Sequence, residues 1–351
     1  MPFPSTPEWD STSKYRMETR DLNGLFITTL SFMNLQMEFV LNAPDTIRFD
    51  IDLHDPKATQ QFLSAGNHEV WLYRNNTLIF AGPLWDVTAS SKEARIHCIA
   101  ESLESWLHVA RVTQDLVYTN KQTDEIAWDL IVKSQAVGGM DRRITRGRND
   151  VTSTHSAKIK RSQGAIIYDL ITQYTTGAAI GFDWEITPLR VFNVWAPRRN
   201  RVGTTLLEFG GSIADYSVQY MGKYVANDVL ITGPKGKPTY GVNAGSIAAY
   251  HRQQRTVPFP TAKTQAAVNA LMTQELQMRA KVRLIPQVVL RNESVRFFEG
   301  DLQLGDNVHV RIVDGYVNFD EVQRVVSIQV TVSELDQDVY VMTMNDLREV
   351  Q

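Results

Sequence analysis

The chain has 351 residues, a formal net charge of −3, 43% hydrophobic residues and 21% charged residues. These values suit a folded globular protein and exclude bulk disorder or coiled coil. The small negative charge provides no general attraction to nucleic acid or anionic membrane, and the single cysteine, Cys98, excludes an internal disulfide framework.

No stretch reaches the roughly 18 consecutive apolar residues of a transmembrane helix. Residues 1–20 are polar and proline-punctuated, so no signal peptide is expected. Synthesis in a host cytoplasm is the expectation, with later transport only as part of something larger.

Residues 35–41 carry apolar side chains at Leu35, Met37, Phe39 and Leu41. Ile47, Phe49, Ile51 and Leu53 then alternate with Arg48, Asp50, Asp52 and His54. Strict alternation means strands with one buried and one wet face. Asn75-Asn76 separates two further alternating runs, and asparagine tolerates the left-handed backbone of a hairpin turn. Residues 25–100 therefore predict an antiparallel barrel or sandwich, closed by a short helix over 102–108. Cys98 alternates with Ile96 and Ala100, as a buried structural thiol would.

From Val112 the texture changes. Thr123-Asp124-Glu125 starts a helix with a capping hydroxyl and first-turn acids. Ile126, Leu130 and Ile131 make its stripe, and Gly138-Gly139 ends it. A polar stretch over 141–161 follows. Ser162 is read as the cap of a second helix that buries Ile166, Ile167, Leu170, Ile171 and Tyr174 and stops at Gly177. A hairpin around Thr187-Pro188 completes a small α+β domain. Strand texture returns over 202–232 and breaks at a glycine- and proline-rich segment. A short helical turn over 246–250 and a helix from Thr261 or Thr264 to about Ala280 form an insertion, and strands resume at Val282.

The most informative pattern occurs twice, over 66–103 and 305–347. Each copy opens on glycine and a polar pair. An alternating strand, a tight turn, a second strand, a polar turn and a third alternating strand follow. Few residues are identical, so the repeat is one of pattern. Two similar β-modules in one chain let a small ring of subunits present twice as many similar surfaces, which favours a structural protein over a single-site enzyme.

Candidate chemistry is sparse. Asp50, Asp52, His54 and Asp55 are the densest polar cluster, and carboxylates with histidine can hold a divalent cation. They also occupy the wet phase of a strand, and a solvated face is the reading adopted. Arg142, Arg143, Arg146, Arg148, Lys158, Lys160 and Arg161 form a basic stretch with no interleaved aromatic residue to stack bases. It is read as a solvated loop or as a patch for an acidic protein partner. The loop Gly233-Pro234-Lys235-Gly236-Lys237-Pro238 has proline where a phosphate-binding loop needs a hydroxyl. The seven histidines make no zinc spacing. Glu101 and Glu104 are read as a wet face rather than a glycosidase pair. Trp71, Trp85, Trp106 and Trp128 lie in periodic segments, where core or subunit contact outweighs a sugar platform. No catalytic, cofactor-binding or metal-binding residue is assigned.

Several segments in order carry a resemblance. They are HEVWLYRNNTLIFAGPLWDV, CIAESLESWL, GAIIYDLITQYTTGAAIGFDWEI, Asn227-Asp228-Val229-Leu230-Ile231-Thr232-Gly233, Ser246-Ile247-Ala248-Ala249-Tyr250-His251, and Leu304-Gly305-Asp306-Asn307-Val308. Together they resemble baseplate hub or tail-tip minor tail proteins of long-tailed bacteriophages, of the siphophage type found on actinobacteria. In such proteins Gly-Arg often follows the Ser-Ile-x-x-Tyr segment, whereas this chain has His251-Arg252.

The resemblance implies a mainly β, α+β chain with two tube-like antiparallel β-barrel domains. Its expected parts are a first barrel over 1–111, an α+β domain over 112–201, a discontinuous second barrel over 202–233 and 281–351, and a helical insertion over 234–280. It implies a homotrimer whose six barrels close a pseudo-sixfold ring in the virion tail tip. The ring would join the distal tail or tail-tube protein to tip or receptor-binding proteins. Tape-measure protein and genomic DNA would pass through its lumen without specific binding, and this chain would not insert into a membrane. Enzymatic activity and cofactors are not expected. The rival readings are a tail-associated cell-wall hydrolase and a receptor- or carbohydrate-binding tail protein.

Overall fold

A computed structural model describes residues 14–176, 181–196, 202–232, 238–259, 264–291, 297–298, 300–332 and 338–346. The chain divides into two compact units. The first comprises Met1–Tyr174, Phe182–Ala196 and Ile328–Tyr340, and the second Thr175–Gly181, Pro197–Ser327 and Val341–Gln351.

The first unit opens with β1 (Tyr15–Asp21), β2 (Phe26–Leu30), β3 (Met33–Val40), β4 (Thr46–Asp52), β5 (His68–Arg74), β6 (Thr77–Ser90) and β7 (Arg95–Glu101). They lie in the order β3-β4-β7-β6-β5-β1-β2, and their neighbouring pairs are antiparallel. The alternation read from the sequence is the alternation observed: Ile47, Phe49 and Ile51 are buried, as are Leu35, Met37 and Phe39. Asn75 and Asn76 take φ of 48° and 63°, the left-handed pair of a two-residue hairpin.

The long strand β6 serves two neighbours. Residues 77–83 pair with β5, and residues 84–90 pair with β7. The register slips between Leu84 and Asp86, so Trp85 is the extra residue of a bulge. Gly82 sits where the strand changes partners. A Cβ built there would lie 2.7 Å from Ser102 Cα and closer still to the Glu101 carbonyl oxygen. Only glycine lets β6 pass this close to the end of β7.

The unit continues with a 3₁₀ turn over Leu103–His108, then β8 (Leu116–Gln122), α1 (Thr123–Gln135), β9 (Thr145–Asn149), β10 (Thr154–Ile159), α2 (Ile167–Thr176), β11 (Asp183–Ile186) and β12 (Val191–Trp195). The expected hairpin is β11–β12, with β9 alongside β12 in parallel, while β10 pairs with β8. Two expectations need correction. The stretch 141–161 is not a plain loop, because it contains β9 and β10. The helix does not begin at Ser162, which instead lies in a separate turn, Arg161–Gln163, ended by Gly164 at a φ of 60°. Gly177, the expected stop, lies outside the described residues.

The second unit holds β13 (Val202–Glu208), β14 (Ile213–Met221), β15 (Asp228–Thr232), β16 (Thr239–Val242), α3 (Ala244–Tyr250), β17 (Gln254–Pro258), α4 (Gln265–Met278), β18 (Arg283–Leu290), β19 (Asn307–Asp314), most of β20 (Val317–Val332) and most of β21 (Asp338–Asp346). β14 pairs antiparallel with β18, which follows α4. β15 does not join them. It is the centre of a separate sheet, β16-β15-β17, whose Val229 and Ile231 pack on Val268, Leu271 and Leu276 of α4. The insertion is thus a sheet on a helix rather than helical, and it begins ahead of β15. A helix alone would leave the apolar side of α4 uncovered.

Among the described residues no closed barrel forms. β2 has β1 as its strand neighbour, and β14 has β18.

The doubled pattern corresponds to a shared local build. In the first module β5, a two-residue turn and long β6 lead to β7; in the second β19, a two-residue turn and long β20 lead to β21. Gly66 and Gly305 both take positive φ, 74° and 86°. Each donates its N–H to the middle strand, Gly66 to the Leu84 carbonyl at 2.7 Å and Gly305 to that of Val325 at 2.9 Å. Leu84 and Val325 are both fully buried. Few side chains match because this link is made by backbone atoms and needs only glycine at its start.

Candidate functional site

The acidic cluster does not converge. Asp50 faces outward on β4, where Asn34 Nδ2 and His97 Nδ1 each approach its carboxylate to 2.7 Å, and Arg95 lies at 3.3 Å. His97 Nε2 is 2.6 Å from Glu93, so the imidazole bridges two acids. Those two hydrogen bonds raise the pKa of His97. Burial opposes ionisation of Asp50, but Asn34 and His97 outweigh it and hold the carboxyl below its usual range. Asp52 and Asp55 accept the backbone N–H groups of His54 and Lys57 at 2.8 and 2.7 Å, as turn-forming side chains do. Among the described residues no group of three or more His, Cys, Asp or Glu side chains is arranged to hold a metal ion. Cys98 behind them is buried, which pushes its thiol up to about 12 and leaves it unreactive.

Four cations of the basic stretch have local partners. Arg146 pairs with buried Asp124 at 2.7 Å, and Arg148 pairs with Asp150 at 2.6 Å. The Arg142 guanidinium stacks 3.8 Å from the Trp106 ring centre, and Arg143 donates to the Asn23 carbonyl at 3.2 Å. Lys158, Lys160 and Arg161 are exposed. The glycine-rich loop falls outside the described residues except for Pro238.

Glu104 does not form a wet pair with Glu101. It is 4% exposed and accepts the Ile186 N–H at 2.6 Å, while its Oε2 meets no hydrogen-bond partner among the described residues. Burial pushes its carboxyl up to about 7. Trp71, Trp85, Trp106 and Trp128 pack against neighbouring side chains. Trp71 is buried, with Arg20 4.1 Å from its ring centre and its indole donating to Glu69 at 3.1 Å. Trp85 and Trp106 pack edge to face at 4.9 Å, and Trp128 stacks on Phe192 at 6.2 Å. His309 lies 2.5 Å from Asp320 on an exposed face, and His108 stacks on Tyr168 at 3.7 Å.

What the geometry does build is a set of joints within the first unit. Arg190, at the turn between β11 and β12 with a φ of 64°, grips Glu69 of β5 at 2.7 and 2.9 Å. Its other terminal nitrogen donates to the Arg142 carbonyl at 2.8 Å. Asn42 donates to Asp183 at 2.9 Å and accepts the Trp184 N–H at 2.8 Å. Asp338, nearly buried, takes hydrogen bonds from Lys14 and Tyr15 at 2.7 Å and from Arg74 and Tyr340 at 3.0 Å. Burial works against that charge, yet the donors keep the carboxyl below its usual range. Sequence reading missed all three joints. Arg190 carried a partial signal, since a long side chain at a hairpin turn is placed to reach a neighbour. These joints fix the α+β segment and the chain termini of the unit, and they place no nucleophile beside a base.

No protein-family model and no curated protein matches the chain. Solved structures do match it across nearly its whole length. The 43 kDa tail protein of a Shewanella oneidensis prophage is similar at 11% identity, over 95% of this chain and 99% of that one, with a TM-score of 0.71. A tail protein of Neisseria meningitidis is similar at 13% identity, over 96% and 98%, with a TM-score of 0.69. A prophage tail protein of Listeria monocytogenes is similar at 11% identity, over 95% of both chains, with a TM-score of 0.63. The chain has the fold of phage tail proteins. No helix among the described residues is long and apolar enough to cross a membrane.

Proposed function

We propose that this chain is a structural baseplate-hub protein of a phage-type tail and has no catalytic role. The carrying observation is a tail-protein fold shared end to end, combined with two β-modules that open on the same glycine-to-middle-strand link. In this reading three copies close a ring in which each chain supplies two similar modules, giving six similar positions from three subunits. The modules line a lumen that passes DNA and the tape-measure protein, and the ring joins the distal tail or tube protein to the tip in the virion. The first β-domain and the split second one act as the tube-like parts. The α+β segment and the insertion decorate the ring and meet neighbouring proteins. The siphophage-type character suggested by the sequence belongs to the same proposal.

Light scattering on the purified chain, mixed where needed with its tube partner, tests the assembly step. A trimer mass is the expected result. A strict monomer at micromolar concentration, combined with ring-free images of mixed samples, contradicts it. Release of soluble fragments from cell-wall material by the purified chain would overturn the non-catalytic part.

A further inference from the structure

The two modules differ in how the tip of their first hairpin is covered. In the first, β1 runs along the outer edge of β5 to its end, pairing Arg16 with Tyr73 and Tyr15 with Arg74. Asn75 N–H then donates to the Lys14 carbonyl at 2.9 Å. In the second, the outer neighbour is β13, which runs parallel to β19 where β1 is antiparallel to β5, and whose register with β19 ends at Glu208 and Arg311. Phe209 N–H takes the Arg311 carbonyl at 3.0 Å, and there the pairing stops. Ile312, Val313 and Asp314 have β20 on one side and no strand on the other among the described residues. Backbone groups alternate between the two sides of a strand. Because the Arg311 carbonyl points outward, the N–H and C=O of Val313 point outward too.

The side chains around this open edge are those of a contact surface. Tyr316 is 86% exposed and Val313 61% exposed. Tyr220 packs against Tyr316 with ring centres 5.4 Å apart. The corresponding turn of the first module is Asn75-Asn76, which is polar. The edge is also acidic. Asp314 accepts the Tyr216 hydroxyl at 2.8 Å, and neither it nor exposed Asp215 forms an ion pair among the described residues. An exposed strand edge with apolar flanks is a template for another strand.

We propose that the outer edge of Ile312–Asp314, flanked by Val313, Tyr316 and Tyr220, docks an extended, basic protein segment with alternating apolar side chains. That segment adds as a strand where β1 adds in the first module. Charge selects it: Arg311 at the start of the edge is already paired with Glu208 at 3.5 Å, so Asp314 and Asp215, which have no ion pair among the described residues, favour a strand carrying arginine or lysine. β1 meets this description, since Tyr15 and Met17 alternate with Arg16 and Glu18, and Lys14, Arg16 and Arg20 outnumber Glu18 and Asp21.

The test uses the full chain and a labelled, end-blocked peptide copying residues 14–21. Fluorescence anisotropy should show saturable binding below about 1 mM. Methylating the peptide's backbone nitrogens along one edge should weaken binding about tenfold or more, since a strand cannot add without those N–H groups. Asp314→Lys should weaken it by a similar factor, and hydrogen exchange should slow at the Val313 amide. No saturable binding, indifference to N-methylation, or protection appearing at residues 72–74 instead would each overturn the proposal. N-methylation changes only the peptide, so that arm is independent of whether the Asp314 variant folds.

Discussion

Replacing His251 with glycine should stabilise the insertion. His251 has φ of 58° and ψ of 174°, a region that is essentially glycine-only because a Cβ collides with the backbone. Such strain costs about 1–3 kcal/mol. Asn227, fully buried, holds the residue there: its amide donates to the His251 carbonyl at 2.7 Å and accepts the Gln253 N–H at 2.8 Å. The imidazole is exposed, so its removal sacrifices little packing. Glycine raises the entropy of the unfolded chain, which offsets about 0.4–1 kcal/mol of the gain. The net expectation for His251→Gly is roughly 0.5–2 kcal/mol of added stability. His251→Ala keeps the Cβ and should gain nothing. A two-unit chain of this size need not unfold in one step, so a local probe is the better assay. Hydrogen exchange of the Asn227, Asp228 and Gln253 amides should slow by about tenfold per 1.4 kcal/mol in the glycine variant and not in the alanine one. Equal or faster exchange in the glycine variant would refute the strain argument.

Three further outcomes are expected. Gly82→Ala should destabilise the first unit by about 1–3 kcal/mol or more in urea titration, because backbone rather than a mobile side chain blocks the new methyl. Arg190→Ala should remove the counter-charge from Glu69, which is fully buried, and lower stability by about 3–5 kcal/mol; pairing it with Glu69→Gln should recover part of the loss, and a double-mutant cycle measures how much. Glu104 has a folded-state carboxyl raised to about 7 from 4.5, so the folded state binds the extra proton between those values. Stability from this group is therefore full below about 4.5 and falls as pH rises towards about 7, and Glu104→Gln should flatten that slope in pH-dependent thermal melts.

Local signals were legible and partner choice was not. The alternation at Ile47, Phe49 and Ile51 named a buried face correctly because one side of β4 meets the core and the other meets water. Asn75-Asn76 named a hairpin because few residues accept left-handed angles. β9 escaped notice because all five of its residues, Thr145–Asn149, are exposed and no alternation exists to read. β15 was given to the wrong sheet because alternation marks a strand without saying what it pairs with, and its partners lie on either side of α3. The Asp338 joint brings together residues more than 300 positions apart, which leaves no local trace. Glu104 was read as wet because a lone carboxylate on a short turn usually is, and its burial comes from β11, which follows some 80 residues later.

The most direct measurement is a cryo-electron microscopy map of the assembled particle that contains this chain. Three copies in one ring are expected, with the modules at residues 66–103 and 305–347 occupying six alternating positions around a continuous channel. A map with one copy, with six copies, or with the two modules in unlike environments would contradict the hub account, even if the chain proved to be a tail component.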